Sequence, residues 1–333
     1  MNPVTLAAGL PPSPGMDPQE PIAADLEEVE RILTRVLKNK HARVAEVVDH
    51  VRHYRGKRLR PMLLLLTARA CGRVTPAHHL LGAVVEMIHT ATLVHDDVLD
   101  GAHLRRRVAT VNAVWGVQTS VLLGDYLFTH AFHLASTLDD VRACRLFGEA
   151  TDRVCEGELC QVLQRGNLEL SEAEYFDIID GKTAELTACC CHLGALYSDA
   201  EPEVVQALAR YGRRVGQAFQ IADDLLDLVG EEKTTGKSLG TDLEQQKLTL
   251  PLIHLLSRRD GIAGRVRQIL CSPDNHKREA LHPCLVEGGG LAYARRRAEE
   301  LAAQARAELT CFPPSPCRSI LETLTERVVH RKS

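Results

Sequence analysis

Residues 75–107 read TPAHHLLGAVVEMIHTATLVHDDVLDGAHLRRR, and the fold turns on them. Thr75 followed by Pro76 is a helix start, with threonine as N-cap and proline at the first helical position. Leu80, Leu81, Val84, Val85, Ile88, Ala91 and Val94 then recur at the spacing of a helix with one apolar face. The last turns of that helix carry Asp96, Asp97 and Asp100, and three arginines follow almost at once. Aspartates four residues apart on one face repel each other by roughly 0.2–0.5 kcal/mol. An acidic turn in apolar surroundings needs a cation or hydrogen-bond partners.

Outward from this helix, the signals stay helical. Ser171 with Glu174 is a capping box that opens a helix running through Lys182 to about Leu196. Another runs from about Pro202 to Leu228, and shorter amphipathic stretches follow at 248–256, 291–309 and 319–329. Strand alternation bounded by turn pairs is hard to find, and no internal linker splits the chain. The expectation is a single all-α domain over residues 23–333, built as a large helical bundle. The Pro-rich residues 1–22 read as a disordered tail, and they lack the basic n-region of a signal peptide.

Composition removes several classes. A formal net charge of −4 over 333 residues gives no basic field for nucleic acid. No apolar run approaches the roughly 18–20 residues that span a bilayer. The 11 cysteines form no CxxC pair, which argues against a disulfide framework or a zinc site and fits a reducing cytosol. Consecutive Cys189, Cys190 and Cys191 point three ways from one helix and read as small buried residues.

A second acidic cluster, QIADDLLD, places Asp223, Asp224 and Asp227 on one stripe with Gln220. It repeats the DDxxD form of the first, far downstream, so two facing helices could bring both to one cavity. Carboxylate oxygens at that spacing suit magnesium, which takes one or two protein carboxylates and completes its shell with water and phosphate oxygens. Basic groups surround the clusters in sequence: Lys57, Arg58 and Arg60 in GKRLRP, then Arg105, Arg106 and Arg107, and later Lys182, Lys237 and Lys247. Acidic metal sites beside guanidinium forks are two complementary ways to hold a diphosphate.

The motifs GKRLRP, EMIHTATLVHDDVLD, LRRRVATVN, GDYLF, GKTAEL, FQIADDLLD, GKSLGTDL and KLTLP occur in this order. In them the chain resembles the trans-isoprenyl diphosphate synthases, or polyprenyl synthetase family, over nearly its whole length after the tail. The resemblance implies an all-α bundle around a deep central cavity, usually in a homodimer. It implies head-to-tail condensation of isopentenyl diphosphate with an allylic diphosphate, releasing pyrophosphate. Asp96, Asp97, Asp100, Asp223, Asp224 and Asp227 then become ligands of two or three Mg2+ ions bound with the allylic diphosphate. Arg105, Lys182, Thr183, Gln220 and Lys237 fall to that same substrate, with Lys182 and Lys237 catalytic beside the aspartates. Lys57, Arg60, His89 and Arg106 fall to isopentenyl diphosphate, and Lys247 is as readily a structural partner. With no apolar run long enough to span a bilayer, the membrane contact expected is a transient one for product release.

Two departures stand out. The arginine pair usually runs into Gly-x-Pro, where this chain has Arg107, Val108 and Ala109. The loop after Asp242 usually has Glu-Gly-Lys, where this chain has Gln245, Gln246 and Lys247. Short-chain members carry an aromatic residue about where Ala91 stands, so a product longer than three or four isoprene units is expected. Ala91 and Thr92 then line the cavity floor, with Phe128 and Phe132 deeper. The alternatives are a geranylgeranyl or farnesyl diphosphate synthase, a terpene cyclase, or a subunit that has lost catalysis. A cyclase has no use for a second diphosphate site, and a lost enzyme has no reason to keep six aspartates.

Overall fold

The computed structural model describes residues 18–54, 56–230, 240–258, 260–273 and 276–330. At its centre α3 (Leu59–Ala70) buries Leu63, Leu64, Leu65 and Leu66 completely, which requires helices on every side. One neighbour is α4 (Pro76–Leu99), started by Thr75 and His78 in a reciprocal capping box. Its apolar face is the expected one, with Leu81, Val84, Val85, Ile88, Ala91 and Val94 buried. α1 (Ala23–Val36) and α5 (Val111–Ala135) flank this pair, and α2 (Ala42–Val51) and α6 (Val141–Leu163) pack against α5.

The second half repeats the principle. α7 (Glu172–Ile179) and α8 (Glu185–Leu196) lead to α9 (Pro202–Val229), which packs along α8. The short α10 (Thr241–Glu244) and α11 (Leu250–Leu256) follow, then α12 (Gly261–Cys271), α13 (Lys277–Glu287), α14 (Gly290–Glu308) and α15 (Pro316–Val329). α14 covers the outer face of α9. Among the described residues, no helix is long and apolar enough to cross a membrane.

Three details differ from the sequence expectation. The helix opened by Ser171 is not continuous, because Asp180–Ala184 forms a π turn between α7 and α8. There the backbones of the turn and α6 touch: a Cβ on Gly157 would lie 2.5 Å from the Lys182 amide nitrogen, and one on Gly181 2.7 Å from the Arg153 carbonyl oxygen. Next, Leu104–Arg105 and Val108–Ala109 pair as a two-stranded antiparallel ribbon. Its two-residue turn is Arg106–Arg107, with φ of +51° and +67°, a primed-turn geometry that favours Asn-Gly. Finally, Glu20–Ile22 form a 3-10 turn and Ile22 is buried, so the folded part starts before residue 23. Residues 1–17 of the expected tail lie outside the described residues.

Candidate active site

The first acidic cluster sits where α4 ends and the ribbon begins. Asp97 is buried and accepts from Arg105 Nε at 2.7 Å through Oδ1, while its buried Oδ2 has no partner. Burial raises its carboxyl pKa, and Arg105 opposes part of that rise. Burial, then the nearby Glu158 carboxylate, push Asp96 up to about 7. Asp100, the C-cap residue, pairs with Lys247 Nζ at 3.2 Å and faces Arg165 at 3.7 Å.

The second cluster ends α9. Asp224 is buried and accepts from Tyr175 Oη at 2.6 Å and Gln220 Nε2 at 2.8 Å. Burial first, then Asp242, raise it to about 8, and burial with Asp227 raises Asp242 to about 6. Asp227 has another task. It accepts from the Gly240, Thr241 and Asp242 amides and the Thr241 hydroxyl at 3.1–3.3 Å, which ties α10 to the end of α9.

Lys182 joins the clusters. From the π turn its ammonium donates to Gln161 Oε1 at 2.8 Å and faces Glu158 at 3.4 Å. Burial disfavours its charge, but Glu158, Asp96, Asp242 and Asp224 outweigh that and raise its pKa. The next residue, Thr183, donates to Gln220 Oε1 at 2.7 Å, so Thr183, Gln220 and Asp224 form one chain of hydrogen bonds. Lys182, Gln220 and Asp224 line a small cleft with Leu170, Ile178 and Ile179, and Asp242 and Lys247 reach into it.

The cations cluster about two turns earlier along α4. Arg60 is deeply enclosed with an unpartnered Nε, and burial pulls its pKa down. His89 lies two turns before Asp96, about 10 Å along the helix axis. Its Nδ1 is buried without a partner, and burial followed by Arg60 and Arg106 drives it well below the usual imidazole range. A neutral imidazole among crowded guanidinium groups leaves a local excess of positive charge here. Arg106 donates to the Tyr54 carbonyl. Arg58 differs, being committed to Glu86 at 2.5 Å and Glu30 at 2.6 Å. The Lys57 carbonyl accepts from Gln19 at 3.0 Å, and Lys237 lies outside the described residues.

The expected floor residues stand apart from the cleft. Ala91 is fully buried in the core, and the Thr92 hydroxyl donates to the His89 carbonyl at 2.8 Å. Phe132 packs partly buried against the core. Phe128 stacks on His95, with centroids 6.3 Å apart and planes at 17°. His95 itself fills the notch left by Gly124 of α5, where a Cβ would overlap the imidazole.

Sequence reasoning missed Asp242, Glu158, Gln161 and Tyr175. Asp242 lay in a recognised motif, but nothing in GTDL says that its carboxylate turns inward. Glu158 and Gln161 belong to α6, whose sequence reads as an ordinary polar helix. Among the described residues, no three His, Cys, Asp or Glu side chains converge to hold a metal unaided. The donor set still fits magnesium, because that ion needs few protein ligands and hard oxygens, and Asp97 Oδ2 is a buried oxygen without a partner.

The sequence profile described as Polyprenyl synthetase matches residues 41–286. The chain is 36% identical over 313 residues to an all-trans-nonaprenyl-diphosphate synthase (geranyl-diphosphate specific) of Rhodobacter capsulatus, covering 93% of this chain and 96% of that one. It is 36% identical over 282 residues to octaprenyl diphosphate synthase of Escherichia coli, covering 83% and 86%. The crystal structure of a polyprenyl synthase from Caulobacter crescentus, complexed with calcium and isoprenyl diphosphate, superposes with a TM-score of 0.90. That pair is 34% identical and covers 95% of this chain and 97% of the other.

Proposed function

The chain belongs to the polyprenyl synthetase family, and from that premise we propose that it condenses isopentenyl diphosphate head-to-tail with an allylic diphosphate to make a trans-polyprenyl diphosphate longer than C20. One observation carries the reading: α4 holds a buried acidic site at its end and an unsatisfied cationic site two turns earlier. Two diphosphates, one reached through metal and one through guanidinium groups, satisfy both at once. The cationic site also separates this reading from a cyclase, which takes one diphosphate.

Asp96, Asp97 and Asp100, with Asp223, Asp224 and Asp227, would hold magnesium, which when bound neutralises charge on the allylic diphosphate. Asp227 also contributes by fixing α10. Arg105 and Lys182 add positive charge where the leaving pyrophosphate takes up the electron pair of the breaking C–O bond. Lys237 is assigned to the same task on the family's pattern alone. The allylic cation forms beside the Thr183 hydroxyl and Gln220 amide, whose oxygens stabilise it. Lys57, Arg60, His89 and Arg106 hold isopentenyl diphosphate so that its double bond attacks the cation and a new C–C bond forms. A proton then leaves the adjacent carbon for pyrophosphate, restoring an allylic diphosphate. Apolar walls such as Ile178 and Ile179 exclude water that would quench the cation.

Product length is assigned to the small side chain at Ala91 together with Thr92, Phe128 and Phe132. A homodimer is part of the same reading. It is supported by Val117 and Leu122 on α5 and Leu159 and Leu163 on α6, large apolar side chains left on the surface. All eleven cysteines are free, which supports a reducing compartment, the cytoplasm. The test is direct: incubate the chain with magnesium, isopentenyl diphosphate and each of dimethylallyl, geranyl and farnesyl diphosphate, then size the products. Absence of prenyl product with every primer overturns the reading.

A further inference from the structure

The Lys182 ammonium reaches the acidic clusters from a backbone wider than an α-helix, and the reaction itself does nothing to hold that backbone open. A single π turn inside a helix is rare, because it interrupts the regular hydrogen-bond ladder, and it clusters at functional sites. Here its support comes from one stripe of α9. Arg213, Gln217, Gln220 and Asp224 follow one another at spacings of four, three and four, so they line a single helix face.

Each residue of the stripe grips the segment opposite. Arg213 pairs through one guanidinium nitrogen with Asp180 Oδ2 and through the other with Glu185 Oε2 at 2.6 Å. Gln217 Nε2 donates to Asp180 Oδ1 at 2.9 Å. Both oxygens of Asp180, the first residue of the π turn, are therefore held from α9, and so is the residue just after its end. Gln220 takes Thr183 and Asp224 takes Tyr175. On the opposite side Gly157 and Gly181 bring α6 into backbone contact, so the turn is pulled by α9 and pressed by α6. Arg213 is also the shared cation between two carboxylates that flank the turn and repel each other without it.

We propose that Asp180, gripped by Arg213 and Gln217, is a positioning residue that sets the register of the π turn. It thereby aims Lys182 at the acidic clusters. This inference rests on the prenyltransferase reading, because Lys182 is the group that uses the register.

The experiment compares wild type, Asp180→Asn, Arg213→Lys and, as control, Arg210→Gln, which lies on the same helix as Arg213 and breaks an ion pair with Glu308 of α14. Product formation by wild type is measured first, so failure of the functional reading is seen separately. Asp180→Asn is expected to lower kcat about tenfold, as a misplacement of a reacting group by a fraction of an ångström does, and to leave KM for isopentenyl diphosphate within twofold. Arg213→Lys keeps the charge but not the fork, and is expected to retain more activity than Asp180→Asn. In a Lys182→Ala background, adding Asp180→Asn is expected to change kcat less than twofold. Amide hydrogen exchange over residues 180–184, which needs no substrate, is expected to speed up in Asp180→Asn and stay unchanged in Arg210→Gln. Unchanged exchange in Asp180→Asn, unchanged kcat, or a full further loss in the Lys182→Ala background each overturns the proposal.

Discussion

Lys247 Nζ lies 3.2 Å from Asp100 Oδ1, so the loop after the second acidic cluster is tied to the last aspartate of the first. The same ammonium lowers the pKa of Asp242, which burial raises. Lys247 therefore serves the cleft rather than the surface, and only 12% of its side chain is exposed. Replacing it with Gln keeps the length but removes the charge. The expected outcome is a fall in kcat/KM of about tenfold, the equivalent of one charge-assisted hydrogen bond. Steady-state kinetics check it, with thermal unfolding to show that the fold survives.

Arg107 occupies the second position of a two-residue ribbon turn at φ +67°. A left-handed backbone costs a non-glycine residue about 1–2 kcal/mol, part of which glycine returns through its floppier unfolded chain. Arg107→Gly is expected to stabilise the chain by about 0.5–1 kcal/mol, read as a higher denaturant midpoint at unchanged m. Gln246, at φ +57°, stands where the family loop usually has glycine, and the same argument applies there.

Asp227→Ala separates a cap from a metal ligand. The carboxylate holds three amides and a hydroxyl of residues 240–242. Its loss is expected to destabilise the chain by about 1–2 kcal/mol, in the range of lost helix caps. That loss is expected in magnesium-free buffer, where a residue acting only as a metal ligand has no such effect. Denaturant unfolding with a chelator present reads it.

The raised carboxyl groups give a pH dependence with a definite sign. Asp96, Asp224 and Asp242 titrate at about 7, 8 and 6 in the folded chain, against 3.8 for a free side chain. Between about pH 4 and 8 the folded state therefore holds more protons than the unfolded one. Their contribution is fully present below pH 4 and is lost as pH rises through those folded values. Without divalent metal, Tm is expected to fall from pH 5.5 to 8.5. Magnesium with inorganic pyrophosphate is expected to raise Tm more at pH 8.5 than at pH 6, since the ligands must be ionised. A metal-free Tm that climbs across this range contradicts the assignment.

Ala91→Phe adds a ring to a fully buried position in α4. Shorter products are expected, sized by chromatography after enzymatic dephosphorylation, with overpacking lowering stability by about 1–3 kcal/mol. Products of unchanged length would remove Ala91 from control of chain length.

The helices were legible because their signals are local. The Thr75 N-cap with its proline, the Ser171 capping box, the apolar period of α4 and the proline start of α9 each act within a few residues. The DDxxD pair was legible because acid in an apolar helix is anomalous wherever it falls. The π turn was not, since DGKTA looks like any helical segment, and its cause lies in Gly157 and Arg213, distant in sequence. The same holds for Asp227. Its carboxylate was read with its helical neighbours, yet its partners are amides of a loop beyond the helix. The ribbon at Arg105–Val108 escaped because two paired residues leave no alternation to detect.

The notch at Gly124 has a consequence for how such a chamber can change. The His95 imidazole seated against that backbone locks α4 and α5 together at close range, and a side chain on Gly124 would push them apart. The separation of these two walls is thus fixed independently of what lines them. On the proposal that Ala91 and Phe128 set product length, single side-chain changes on these two walls would alter length without moving the helices that carry the aspartates.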